Sequence, residues 1–490
     1  MFNFVNRMKI SPNYKWWAAS VMAIGTLVTV ADTGELNIAM PIIAYQFDSD
    51  LSTVQWLVTG YMVAQSAFLM PMGRLSDMVG RKKVYLWGLL VFTVGSGLAS
   101  LSSDLAVLIL FRVVQGLGLG MVHGNQMAIM TSVFPGEERG KALGIHMTLV
   151  GTALIIGPAL GGFLVDLYGW RSIFVLNVPL GAACILPGLL ILDEAKIMQA
   201  RADSSRGGFD WIGAILSSAV LLTFLMGMIN PWGWHWGFTA GLLMVCVVLM
   251  GAFVIWELKN PMPMLDMHLF RAPIFSLGVA ARSMAFMASA TVLFLMPFYL
   301  QGVAGYSAKQ AGLIMVTVAI GMVTVGPLSG RLSDRFGWRL FNVAGAAVSV
   351  AGLFMLAHIT ENTPLAIIIA GIALQSCGMG LFSAPNSSSI LSAVDRTRYG
   401  VISGFVQLLR TGSTVTGIAI ATVIITATMS DLGFETNLKV LAEGASPAIG
   451  QAFSSGLRTV YMFMAGIQLV AVVLSLVKTR VPKESFVAVR

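Results

Sequence analysis

Charge is scarce in this sequence. Asp, Glu, Lys and Arg make up 11% of its 490 residues, where a soluble globular domain carries about 25%. That shortage excludes one soluble domain with a large core. Cysteine is scarcer still. The three present, Cys184, Cys246 and Cys377, fall inside apolar runs, and an odd number in that setting argues against disulfides or a metal site. No phosphate-cradling glycine loop, no His-Glu-x-x-His helix and no other strong catalytic motif occurs, which argues against an enzyme. The longest segments between apolar runs are 193–208 and 429–455, too short for a signalling domain. The net charge of +8 does not point to nucleic acid, because the basic residues sit in short loops.

What remains is apolar: 57% hydrophobic residues and a mean hydropathy of +0.82. A membrane span needs roughly 20 mostly apolar residues. Fourteen such runs can be drawn, near 16–43, 52–72, 83–101, 105–130, 140–165, 171–192, 209–229, 235–256, 274–300, 308–329, 339–358, 364–391, 400–428 and 456–477. The first is too long for a cleaved signal, contains Asp32 and lacks a small-residue cleavage site. One alternating set of loops, with both termini, holds 23 of the 30 Lys and Arg. The positive-inside rule makes that set cytoplasmic. Both termini then lie inside, which requires an even number of spans. Trp232, Trp234 and Trp236 crowd one outer turn, as rings that favour the headgroup layer do.

The chain repeats itself. Gly73-Arg74-Leu75-Ser76-Asp77 returns as Gly330-Arg331-Leu332-Ser333-Asp334, 257 residues later, and Gly80 and Gly337 follow each copy. Gln115, Gly118 and Gly120 match Gln375, Gly378 and Gly380 at an offset of 260. Small residues recur in membrane helices anyway, but an identical pentapeptide with the same downstream glycine does not follow from that. Six spans with short loops fill about 190 residues here, so an offset near 257 leaves room for two more. The expected organisation is six spans in 1–192, two inserted spans in 193–272 and six in 273–490. Repeated halves around a central site suit alternating access.

These motifs resemble a known family. Gly73 to Lys83 resembles the loop signature of the major facilitator superfamily, and Leu110 to Gly118 resembles its fourth-helix motif. Gly157-Pro158-Ala159-Leu160-Gly161-Gly162, with Gly144 upstream, resembles the fifth-helix motif of its antiporters. Asp32 to Asn37 with Ala39 and Pro41 is similar to the first helix of the fourteen-helix drug:proton antiporters of EmrB/QacA type; Gly169-Trp170-Arg171, Asn177-Val178-Pro179 and Tyr299-Leu300-Gln301 fit that group too. Gly34 departs from that pattern, where a Thr is usual, and Glu35 stands where an aliphatic residue is usual. The helix-five motif also departs, with Ala153 in place of a glycine. The resemblance implies an all-α membrane protein with two six-helix bundles and two added helices. It also implies that Arg112 influences protonation of nearby acids, that Gly73, Asp77, Gly80 and Arg81 with Gly330 and Asp334 govern switching between states, and that the Gly144, Gly157, Pro158, Gly161 and Gly162 pattern goes with export.

The residues themselves mark where chemistry would sit. Charge in hydrocarbon is costly unless paired or hydrated, so charged groups inside spans are candidates. Asp32 and Glu35 are three apart, roughly 60° on a helix, and would face one cavity. Such a pair can hold a proton near neutral pH and release it to an arriving cation. Either acid could instead pair structurally with Arg112. His123 and Gln126 share the stripe of Arg112; His123 is a relay or a packing residue. The second half has Ile372 at the place of Arg112 and offers Gln375, Phe382 and Asn386 on one face. Arg282 and Arg410 are further buried charges, read as cavity lining, interface snorkellers or structural pairs. Asp77 and Asp334 lie in turns where solvation is also open to them.

The expected function is a proton-coupled multidrug or toxic-compound exporter in the cell (inner) membrane. It would need no cofactor beyond the proton gradient and would take a small hydrophobic or cationic substrate. A periplasmic adaptor is a further partner if the envelope is Gram-negative. The alternative is a proton-coupled uptake symporter; a membrane sensor or enzyme ranks last.

Overall fold

The computed structural model describes residues 11, 13–135, 138–199, 210–229, 236–260, 267–392, 394, 399–434 and 447–478. Trp232 and Trp234 lie outside these residues. Every element among them is helical: α1 (Tyr14–Gln46), α2 (Leu51–Val54), α3 (Trp56–Val79), α4 (Arg81–Ser100), α5 (Leu105–Val133), α6 (Arg139–Tyr168), α7 (Arg171–Ile191), α8 (Glu194–Gln199), α9 (Trp211–Ile229), α10 (Trp236–Lys259), α11 (Pro273–Phe298), α12 (Ala308–Phe336), α13 (Trp338–Leu356), α14 (Leu365–Leu391), α15 (Tyr399–Asp431) and α16 (Pro447–Lys478). Each expected apolar run coincides with a long helix.

The expected number of crossings is not supported. Among the described residues, twelve helices are long and apolar enough to cross a membrane. α3 falls outside that set because Thr59, Gln65, Ser66 and Pro71 dilute its apolar face before Arg74 and Asp77 end it. Trp211–Phe224 of α9 counts only as a shorter apolar helix.

Local chemistry sets the helix ends. Asp104 accepts from the Val107 amide at 2.9 Å and starts α5. Ser307 and Gln310 form a reciprocal capping box at the start of α12, satisfying amides that a helix leaves unpaired. Pro273 opens α11, where its missing N–H costs nothing. Gly80 and Gly337 separate α3 from α4 and α12 from α13 with φ of +112° and +84°, a region where a Cβ is strained. The repeated glycine is thus a repeated backbone joint.

The chain forms two compact units. One comprises Met1–Ala39 and Trp56–Ala219; the other comprises Met40–Gln55 and Val220–Arg490. In hydrocarbon, apolar side chains gain little by leaving lipid, so helices associate through close packing. In the first unit, a Cβ on Gly88 would stand 2.8 Å from Gly118 O, and one on Gly118 would stand 2.6 Å from Gly88 O. α4 and α5 therefore touch backbone to backbone. In the second unit Gly345 and Gly378 do the same for α13 and α14, at 2.8 and 2.7 Å. Gly120 and Gly124 bring α5 against Gln65 O and Leu69 O of α3, at 2.7 and 2.6 Å.

Candidate functional site

The first unit holds a buried ion pair at its centre. Arg112 of α5 donates from Nη1 to Asp32 Oδ2 of α1 at 2.8 Å. The same nitrogen reaches Gln115 Oε1 at 2.9 Å, and Nε donates to Leu57 O at 3.1 Å. The Tyr61 ring lies under the guanidinium at 3.9 Å, a cation–π contact. Asn177 Nδ2 of α7 donates to the other Asp32 oxygen at 2.8 Å. Arg112 is 0% and Asp32 2% exposed. A buried pair survives only when its remaining hydrogen-bonding capacity is met, and Asn177 and Gln115 meet part of it here. Sequence reasoning quoted Asn177 only for its resemblance and passed over Tyr61. A polar amide inside an apolar run was the signal for the first; none marked the second.

Glu35 lies one turn further along α1 and is treated differently. It is 2% exposed, and its Oε2 has no hydrogen-bond partner among the described residues. The Cβ position of Gly161 on α6 would overlap Glu35, so that glycine is what lets α6 close on the acid. Gly157 meets Ala31 in the same way, and Pro158 packs on Gly34, where a Cβ would stand 2.7 Å from the ring Cδ. The two departures in α1 thus fit one interface: Gly34 makes room for Pro158, and Gly161 makes room for Glu35. Gly162 is buried, whereas Gly144 is exposed with open space around it.

His123 is half-buried, and its Nδ1 receives the Gln65 amide at 2.9 Å. Gln126 does not face open space. Its Nε2 donates to Met22 O at 3.0 Å and also bonds Thr26 Oγ1, tying α5 to α1. Asn386 does the same in the second unit, donating to Gly278 O of α11 at 3.1 Å. Phe382 is fully buried among Ala281, Ala285 and Met379. Gln375 packs against Gly352, as Gln115 packs against Gly95, but both its side-chain polar atoms lack partners among the described residues. Of the second unit's expected lining residues, only Arg410 is exposed. Arg282 is buried and donates from Nη1 to Ser387 Oγ at 2.7 Å.

The repeated pentapeptide differs between copies. Asp77 is half-buried and pairs with Arg81 at 3.1 Å across Gly80. Asp334 is exposed, and Trp338 stands where Arg81 would recur. The carboxylate at the start of α4 belongs to Glu194 of α8, which accepts from the Lys82 amide at 3.1 Å; that position favours an anion. Lys82 Nζ in turn binds the carbonyls of Leu189 and Leu192 at 2.8 and 2.6 Å, at the end of α7. Among the described residues, no His, Cys, Asp and Glu group could hold a metal ion.

Two compact helical units, the first with a buried acid–arginine centre, suit a membrane transporter, and comparison with known proteins agrees. The model of the Major Facilitator Superfamily matches residues 22–418, and the chain belongs to that superfamily. It is 31% identical over 408 residues to the riboflavin transporter RibZ of Clostridioides difficile, covering 83% of this chain and 87% of that one. It is 31% identical over 410 residues to the multidrug resistance protein Stp of Mycobacterium tuberculosis, covering 83% and 75%. The tetracenomycin C resistance and export protein of Streptomyces glaucescens is 28% identical over 448 residues, covering 90% and 82%. A bacterial homologue of the human lysosomal transporter Spinster matches with a TM-score of 0.67 at 18% identity, over 96% of this chain and 98% of that one. That likeness concerns the fold alone. The protein is a multi-pass membrane transporter of small molecules, not an enzyme.

Proposed function

We propose that this protein is a proton-coupled exporter of small hydrophobic compounds, working by alternating access in the cell membrane. The proposal includes fourteen crossings arranged as six, two and six, with both termini cytoplasmic. The observation that carries the coupling is the unequal treatment of two neighbouring acids. Arg112 and Asn177 occupy both oxygens of Asp32, whereas Glu35 is buried with one oxygen unpartnered. A buried carboxylate without donors is costly, so Glu35 is the group that takes up a proton when enclosed and yields it when water reaches it. Asp32 and Arg112 hold α1 and α5 in register around it. No cofactor is needed, since the proton gradient supplies the drive.

Relatives named for multidrug resistance and for tetracenomycin C export support the outward direction. A relative named a riboflavin transporter favours a second reading, a carrier dedicated to one aromatic solute and running inward with protons. Inside-out vesicles with an imposed pH gradient separate the two. With ethidium, riboflavin and other hydrophobic dyes outside, the exporter loads dye into the vesicle lumen when the lumen is acid. Dye loading only under the reverse gradient supports the second reading, and no dependence on the gradient removes proton coupling.

A further inference from the structure

The two units carry opposite interior charge. In the first, the charged groups buried well inside the helices are Asp32, Glu35 and Arg112, while the buried Asp210 stands just before α9. In the second, the charges well inside the helices are Arg282, Arg410 and the exposed Arg458 of α16, and its helix-borne acids stand at helix ends: Glu257, itself buried, on α10, Asp334 on α12 and Asp431 on α15. Arg282 lies nine residues into α11, about 13 Å along the axis, well inside a hydrocarbon core about 30 Å thick. It is 7% exposed. Its Nη1 bonds Ser387 Oγ at 2.7 Å and Ser383 O at 3.4 Å, both neutral groups. Its Nε is buried without a partner among the described residues. Arg410 of α15 is exposed; its neighbour Leu409 packs on the cluster that holds Phe275 and Val279 of α11, one turn before Arg282, and no ion pair reaches either arginine among the described residues. Two guanidinium groups on packed helices, one with an unsatisfied buried donor, thus have no acidic partner among the described residues.

An exposed guanidinium facing lipid would be strongly unfavourable, so Arg410 faces a hydrated space. The Arg282 guanidinium lies 5.0 Å from the Phe286 ring, and Met284, Phe286 and Met322 pack around a core of Met379 and Phe382. Charge and apolar surface therefore adjoin. We propose that Arg282 and Arg410 form an anion subsite in the second unit that takes the carboxylate of an aromatic organic anion. The guanidinium fork matches a carboxylate, and the Phe and Met side chains suit an aromatic body. This deepens the exporter reading and rests on it for the substrate's passage.

The test is equilibrium binding to protein in phosphatidylcholine nanodiscs, read with fluorescent 9-anthracenecarboxylate and its neutral carboxamide. The unmodified protein binds the carboxylate at least tenfold more tightly than the amide. Arg282→Gln weakens carboxylate binding about tenfold and leaves the amide within about twofold, while Arg282→Lys restores part of the preference. Arg410→Gln, at an exposed position, also reduces the preference and guards against misfolding of the first variant. Equal binding of acid and amide to the unmodified protein overturns the subsite. So does an unchanged preference in Arg410→Gln, or an equal loss of both ligands in a folded Arg282→Gln. The assay carries no gradient. A null result leaves proton-driven export standing, and failure of gradient-driven flux leaves the anion preference standing.

Discussion

At matching places in the two units, Gln126 and Asn386 hold the carbonyls of Met22 and Gly278, and Gly157 and Gly417 close on Ala31 and Met287. The helix-five and helix-four partners sit 260 residues apart and their helix-one partners 256 apart. The same register puts Ala288 opposite Asp32, Thr291 opposite Glu35 and Ile372 opposite Arg112. Thr26 and Val150 occupy the places of Arg282 and Arg410. Packing devices inside the helices therefore appear twice, and these interior charges once. Glycines and amide pegs answer a need both units share, which is to join helices where lipid gives apolar contact no advantage. The interior charges answer needs that differ: two acids with one arginine in the first unit, guanidiniums without acids beside them in the second.

The comparison breaks or sharpens with matched substitutions. The largest effect is expected at Arg112. Arg112→Ala leaves Asp32 buried and uncompensated and should cost about 3–5 kcal/mol. Ile372→Val, at the matching place, should cost only about 0.5–1.5 kcal/mol. Denaturant unfolding in micelles reads both, and similar losses would erase the distinction. Next come Gly88→Val and Gly345→Val, each forcing a branched side chain against backbone, at about 1–3 kcal/mol or more. The two should be alike; a harmless change in one unit would mean that its helices do not touch as its partner's do.

Smaller effects follow at the pegs. Gln126→Ala and Asn386→Ala should each cost about 0.6–2 kcal/mol, read as melting shifts of similar size. A transport defect without a melting shift would return either residue to the substrate path. The smallest effect lies at the surface. The Lys15 ammonium, 2.6 Å from Glu138, holds that exposed carboxyl below its usual range. The stabilisation is present above the unfolded-state value and fades as pH falls through the lowered one. Lys15→Met should return the Glu138 titration, followed by carboxyl NMR, toward the ordinary glutamate value; an unmoved titration would remove the pair.

Much of this plan was legible in the sequence. Apolar runs located the long helices, because length and composition alone define them, although the polar face of α3 kept the fourteen-span reading from support. The pentapeptide and the glycine offsets revealed the duplication, since backbone contacts tolerate no side chain at those places. Side-chain pairing was not legible. Which acid meets Arg112 depends on Asn177, which is 145 positions from Asp32 and brought to it only by folding. Gln126 and Asn386 resembled cavity lining because an amide inside an apolar run looks the same whether it faces water or a carbonyl. Arg282 was visible as a buried charge. Its lack of a counter-charge was not, because that depends on which groups packing brings near.

The central claim is that Glu35, not Asp32, carries the coupled proton. Proteoliposomes loaded with ethidium allow gradient-driven efflux and gradient-free exchange to be measured on one preparation of Glu35→Gln. The account predicts that exchange survives while the pH gradient no longer drives efflux. Gradient-driven efflux persisting in Glu35→Gln would contradict it.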